Sequence, residues 1–216
     1  MKCCLIRKVM LLVAMTGWML DGIAATEEVS LYAQSVSLKP VNFSCIDIGG
    51  RYPIRGYHMG VQYERRIDSR GNWTIVLPVT ATRYNIARYM TDYKSVGYAV
   101  YITPGIRYYI HSFNKVSGYS AGVQLMAGIH DYDYSGELSS GKATALFGGV
   151  LFNNYYAFQL WKGWSLQAEL GAGVRNTRES RTYTIAKGIV SPEVVKEHTA
   201  RYTGVVNASL GINYRF

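Results

Sequence analysis

Apolar and polar residues alternate one by one along most of this chain from about residue 36 onward, which is the period of a β-strand with two unlike faces. The last segment shows it best. Tyr202, Gly204, Val206, Ala208, Leu210, Ile212, Tyr214 and Phe216 fall on one side, and Arg201, Thr203, Val205, Asn207, Ser209, Gly211, Asn213 and Arg215 on the other. The same arrangement recurs at 164–178, where Trp164, Leu166, Ala168, Leu170, Ala172 and Val174 form the apolar stripe. It returns at 119–131 (Tyr119 through Ile129), at 98–111 (Tyr98 through Ile110), at 73–81 (Trp73 through Ala81) and at 57–63 (Tyr57 through Tyr63). Residues 143–161 are apolar on both faces for part of their length, and a first strand within 36–48 is weakly patterned and contains Pro40. The count is eight strands, or ten if 28–39 contributes separately.

The connections alternate in length. Residues 68–72, 113–118 and 162–163 are tight and rich in Gly, Asn and Ser, as turns require. Those near 85–97, 132–142 and 179–200 read as longer polar loops, while the one near 49–56 is short. Within the last loop, Ser191, Pro192 and Glu193 suggest an N-cap and one or two helical turns through Glu197.

The start of the chain has a different character. Lys2, Arg7 and Lys8 precede an apolar run at 9–20 that is too short to cross a bilayer, and Gly22, Ile23, Ala24 and Ala25 supply the small residues of a cleavage site. Residues 1–24 are therefore expected to be a signal peptide, cut after Ala24 or alternatively Ala25, leaving 25–216 as one barrel domain. Cys3 and Cys4 leave with that segment, so Cys45 has no intramolecular partner for a disulfide. No other stretch is apolar for the ~20 residues a transmembrane helix needs.

Alternation alone admits a soluble lipocalin-like barrel with its apolar faces turned inward. The lysines argue otherwise. Of Lys39, Lys94, Lys115, Lys142, Lys162, Lys187 and Lys196, all but Lys39 are expected in turns or loops, whereas a water-facing sheet carries charge along its strands. The polar faces hold mainly Gly, Ser, Thr, Gln and Asn, which suits a crowded lumen. Tyr57, Tyr63, Trp73, Tyr98, Tyr119, Trp161, Trp164, Tyr202, Tyr214 and Phe216 cluster near strand ends, where an interfacial girdle would sit. The fold expected is all-β: a single antiparallel up-and-down transmembrane β-barrel, with apolar side chains outward.

Leu210, Ile212, Tyr214 and Phe216 resemble the C-terminal assembly signal of outer-membrane barrels, and the chain from 25 on resembles the small outer-membrane β-barrel proteins, the broad group that includes OmpX-like and OmpA-like barrels. The stretch 102–109 is similar to strands common in barrels of the Bacteroidetes. The poorly patterned first strand departs from the group. The resemblance implies residence in the bacterial outer membrane and recognition of the last strand by the barrel-assembly machinery.

Formal charge is +9, and about +7 once the three cations and one anion of 1–24 are removed. Anionic lipid head groups are the expected partner, with no nucleic-acid module in the sequence. Arg83, Arg88, Lys94, Lys142, Arg178 and Arg181, with Arg51, Arg55, Lys187 and Lys196, lie at or near the long-loop end and are the candidates for lipopolysaccharide phosphates; an extracellular partner of the loops is the other possibility. Eight strands leave an interior filled by side chains rather than a wide pore. Glu64, Arg107 and Glu169 are the candidate lumen ion-pair network. No cofactor is implied.

Catalysis is the rival reading, since some eight-stranded barrels modify lipid A. His130 with Asp131, Asp133 and Ser135, and His111 with Ser112, are the places where a base stands near other groups, but neither matches a deacylase or palmitoyltransferase motif. His198 with Glu193 and Glu197 lacks a fixed metal-ligand spacing. The reading is a non-enzymatic barrel that stabilises the outer leaflet or contacts a partner through its loops.

Overall fold

In the computed structural model the residues described are 33–42, 46–47, 55–87, 94–111, 113, 118–135, 139–185 and 193–216. They belong to the compact unit Leu31–Phe216; the unit Met1–Ser30, and with it the expected cleavage site, lies outside them, as does Cys45. Ten strand segments follow in chain order: β1 Gln34–Asn42, β2 Ile46–Asp47, β3 Arg55–Arg66, β4 Trp73–Ala87, β5 Lys94–Ile102, β6 Gly105–Tyr109, β7 Gly118–Ser135, β8 Ser139–Trp161, β9 Trp164–Ile185 and β10 Glu193–Arg215. No helix occurs among the described residues.

All pairings are antiparallel, and β1 pairs with β10 to close the ring. Two segment pairs each make one stave. β5 and β6 both pair with β4 and β7 in a single continuing register, interrupted at Thr103 and Pro104. β1 and β2 both pair with β10, interrupted after Leu38, where Pro40 lacks the N–H that the ladder needs. The barrel therefore has eight staves, as the alternation predicted, and each of the two irregular staves has a proline at its interruption, Pro40 and Pro104.

The orientation of the faces is unambiguous. Ser37, Lys39, Gln62, Glu64, Arg107, Gln124, Asn153, Gln167, Glu169, Asn207 and Arg215 are buried, whereas Met59, Leu125, Leu146, Phe152, Leu170 and Val174 are each more than half exposed. A soluble barrel inverts this distribution. On β9 the outward stripe from Trp164 to Val174 covers about 33 Å of strand, which at the usual barrel tilt is about 25 Å of height, the thickness of a lipid-facing band. Trp73–Tyr108, Trp161–Trp164 and Trp164–Tyr214 ring contacts, at 4.9, 5.9 and 4.8 Å between centroids, form a girdle at the tight-turn end. Tyr98 and the exposed Tyr202 mark the other edge.

Above that edge the structure departs from the sequence reading. The three long loops are largely strand: β4 runs to Ala87, β7 to Ser135, and β8, β9 and β10 reach Ser139, Ile185 and Glu193. Of the helical turns expected at 191–197, residues 193–197 are strand instead and pair with β9, while 191 and 192 lie outside the described residues. Outward positions there are polar (Lys142, Thr144, Arg178, Ser180, Thr182, Lys196), so the alternation loses its apolar half although the ladder continues. Lys94, Lys142 and Lys196 consequently sit in strands rather than loops, but beyond the apolar band.

The tight-turn end is sealed. Asp68 accepts from the backbone N–H groups of Asn72 (3.1 Å) and Trp73 (2.8 Å), fixing the β3–β4 turn, where Gly71 takes a positive φ of 72°. The turn then binds Phe113, whose N–H donates to the Gly71 carbonyl at 2.5 Å. Phe113 is fully buried against Tyr109 and beneath the Arg215 guanidinium, whose carbon lies 4.5 Å from its ring centroid. Phe216 closes the seam: its N–H donates to the Gln34 carbonyl (2.9 Å), and its carbonyl accepts from the N–H groups of Ala33 and Gln34.

Candidate functional site

The lumen is built from the inward positions of every stave. Low in the barrel, Glu64 of β3 accepts from the Thr74 hydroxyl of β4 (2.6 Å), from Arg107 Nη1 of β6 (2.9 Å) and from the Tyr109 hydroxyl (2.8 Å). The Arg107 guanidinium lies 3.5 Å from the centre of the Tyr155 ring on β8, a cation–π contact in a dry setting. Gln124 of β7 donates to the Tyr155 hydroxyl (2.9 Å), and Asn153 donates to Gln124 (2.7 Å). Asn207 of β10 donates to Asn153 (3.1 Å) and to Glu169 of β9 (2.7 Å), which also accepts from Ser209 (2.8 Å) and from the ammonium of Lys39 on β1. The chain of contacts thus touches all eight staves.

Glu64 and Arg107 form the ion pair expected from the sequence, with both side chains about 1% exposed. Glu169 does not join them directly. Its partner is Lys39, the lysine that stood apart as a strand residue and that sequence reasoning left without a role. The signal was partial: a lone lysine on an inward position needs a carboxylate, but which inward acid it meets depends on the register.

Above this layer, Tyr101, Met126, Phe147, Leu151 and Val205 fill the lumen with apolar side chains. The cavity between the layers, lined in part by Lys39, Thr80, Tyr101, Leu151 and Glu169, measures about 10 Å³, room for roughly one water. Among the described residues, the polar layer and the apolar layer above it occupy the lumen along this stretch.

Toward the open end the lumen becomes a vestibule. Tyr132 donates to Glu179, and the Arg181 guanidinium pairs with the same carboxylate. Burial pushes Glu179 upward, but the hydrogen bonds from Arg181 and Tyr132 outweigh it and hold the carboxyl below the usual range. Arg181 had been expected among the lipid-facing cations; it occupies an inward position instead, because side chains alternate along β9 and Arg178 takes the outward turn.

The remaining expected cations divide. Arg83 and Arg178 are outward and exposed beyond the apolar band, Arg83 at the next outward position after Ala81 and 5.8 Å over Tyr98, Arg178 after Asn176. Lys142 is outward and 85% exposed, 3.9 Å from Asp133. Only the backbones of Lys94 and Arg55 are described, while Arg51, Arg88 and Lys187 lie outside the described residues. The acid–base constellation is split: His130 and Tyr132 face the vestibule, whereas Asp131, Asp133 and Ser135 share the opposite parity and face outward. Ser112 lies outside the described residues. His198 and Glu197 stand on opposite faces of β10, and no group of metal-ligating side chains occurs among the described residues.

No protein-family model matches the chain, and no curated protein matches it. Solved structures do. The chain is similar to a major outer membrane protein from Thermus thermophilus, with a TM-score of 0.55, 12% identity, and coverage of 86% of this chain and 100% of that one. The fold is that of a small outer-membrane β-barrel. A second match is the outer membrane protein OprG from Pseudomonas aeruginosa, with a TM-score of 0.51 at 12% identity, covering 86% of this chain and 96% of that one. At such identity the architecture is shared while the lumen and rim chemistry belong to this chain, so function has to be argued from the residues above.

Proposed function

We propose that this outer-membrane barrel is non-enzymatic and structural, and that it stabilises the outer leaflet by holding lipopolysaccharide phosphates at its rim. The observation that carries this reading is the row where the lipid-facing stripe ends. There, Arg83 on β4 and Arg178 on β9 point outward at the level where phosphate groups lie, and guanidinium forks suit phosphate oxygens. Lys142 extends the basic surface farther outward, partly engaged by Asp133. The filled lumen supports a structural role over transport, because an eight-stave barrel with two packed layers offers a solute no path. In this reading the tight turns face the periplasm. Residues 1–24 are removed on export, and Leu210, Ile212, Tyr214 and Phe216 present the exposed stripe that the barrel-assembly machinery engages.

Charge reversal tests it. Arg83→Glu with Arg178→Glu and Lys142→Glu should reduce the lipopolysaccharide that co-purifies with the barrel by severalfold and sensitise cells to large hydrophobic antibiotics. Arg70→Glu, in the exposed β3–β4 turn, should do neither. Equal lipopolysaccharide retention by the triple variant and the turn variant would refute the rim clamp.

A further inference from the structure

Asn154 stands on the outer wall, in the middle of the stripe that faces lipid. It is exposed and outward on β8, with three outward positions ending at Leu160 on its tight-turn side and four ending at Leu146 on its open side. None of those seven carries an amide or a charge. Its ladder neighbours, Ala121 of β7 and Leu170 of β9, are outward and apolar too. The amide is therefore surrounded by side chains that meet hydrocarbon.

A polar group at this depth has a defined need. The bilayer core holds no water, so each N–H and each carbonyl has to find a partner in protein. Half of this amide has one, because the Tyr119 hydroxyl donates to Asn154 Oδ1. Nδ2, with two hydrogens, meets no acceptor among the described residues. Oδ1 keeps a second lone pair. A wall that had only to meet lipid would carry an aliphatic side chain here, as Leu170 does on the next stave.

The unspent donors and acceptor sit in one planar group, which makes the group self-complementary: two such amides side by side each give one N–H and accept one. Copies of a barrel insert in the same direction, so a two-fold axis between two of them runs along the barrel axis, and a side chain on that axis meets its own counterpart. The relief around Asn154 permits the approach. Ala121, Ala168 and Ala172 are its ladder or diagonal neighbours, and small side chains let embedded surfaces come close. Phe152 and Leu170, each 62% exposed, supply the apolar area beside them.

We propose that the outer wall of β7, β8 and β9 is a homodimer interface within the membrane, centred on Asn154, in which each amide donates an Nδ2 hydrogen to the Oδ1 of the second copy. The interface lies on the lipid-facing wall and does not depend on the rim clamp.

The test is sedimentation equilibrium of the barrel purified from outer membranes, in density-matched detergent micelles. Wild type should show a monomer–dimer equilibrium. Asn154→Leu should weaken it about tenfold, and Asn154→Gln, which keeps the amide, should restore most of the loss. Leucine suits a lipid-facing position, so Asn154→Leu should keep its heat-modifiable gel mobility, and loss of dimer is then not loss of fold. Val79→Ala, on the β4 wall, should leave the equilibrium unchanged. Two differently tagged copies expressed in the same cells should co-purify, and Asn154→Leu in both should abolish this. The proposal is overturned if wild type is monomeric at every concentration, if Asn154→Leu dimerises as tightly as wild type, or if the tagged barrel retains a different outer-membrane protein through Asn154 and not its second copy.

Discussion

Removing the Glu169 carboxylate would leave the Lys39 ammonium buried with no counter-charge, and would strip Asn207 and Ser209 of an acceptor. Breaking one side of a buried pair typically costs about 3–5 kcal/mol, so Glu169→Ala should lower the urea midpoint of the detergent-folded barrel markedly. Lys39→Met with Glu169→Leu, which removes both charges, should recover most of that loss; an unchanged midpoint in the single variant would show that the pair contributes nothing. Glu179 behaves differently because its cationic partner reaches solvent. Its carboxyl is held below the unfolded-state value, so the stability it adds is present above that value and disappears as pH falls through the folded one. Wild type should therefore exceed Glu179→Gln by about 1 kcal/mol at pH 6, since Arg181 remains two-fifths exposed and solvent screens the pair, and the two should converge near pH 3. Urea titrations at both pH values decide it.

Strands were legible wherever lipid enforces alternation, because a hydrocarbon-facing position tolerates little but apolar residues. Thus β9 and β10 were readable from Trp164 to Val174 and from Tyr202 to Phe216. Past Arg178 both faces meet water, so the ladder of Glu179 with Thr199 or Arg181 with Glu197 leaves no trace in hydrophobicity and reads as loop. Ser191 and Pro192 before Glu193 imitate a helix start for the same reason: local turn chemistry was the only remaining signal, and strand pairing overrides it. The lumen was half legible. Glu64 with Arg107 could be inferred from parity, but the Lys39–Glu169 pair depends on closure between β1 and the last staves, which only the register supplies. Closure also explains the inward glycines. A Cβ on Gly171 would collide with Asn153 Oδ1, the atom that accepts from Asn207, so the network crosses from β8 to β10 only because β9 is bare there. Gly171→Val should therefore reduce the yield of heat-modifiable folded barrel severalfold, whereas the same change at outward Ala172 should be tolerated.

In the molecule as a whole, a packed apolar waist lies above a buried polar layer, and this bears on permeation. The polar layer alone would not block a chain of waters, since hydrogen-bonded side chains can exchange partners with solvent. The block comes from Tyr101, Met126, Phe147, Leu151 and Val205, which present no polar atoms to a passing ion apart from one phenol, and from a neighbouring cavity with room for about one water. An ion entering the vestibule would have to shed its hydration shell against these side chains, a cost far above thermal energy. Gly128 allows this plug to form: a Cβ there would collide with the side chains of both Phe147 and Tyr101, so both rings fold over a bare backbone. Planar-bilayer recordings of the wild-type barrel should accordingly show no stable conducting state. Phe147→Ala with Met126→Ala, which removes side-chain bulk from the waist while leaving the ion pairs beneath it in place, should produce one. If the wild type conducts as readily as the double variant, the apolar layer is not the barrier, and a structural role could no longer be argued from the filled lumen.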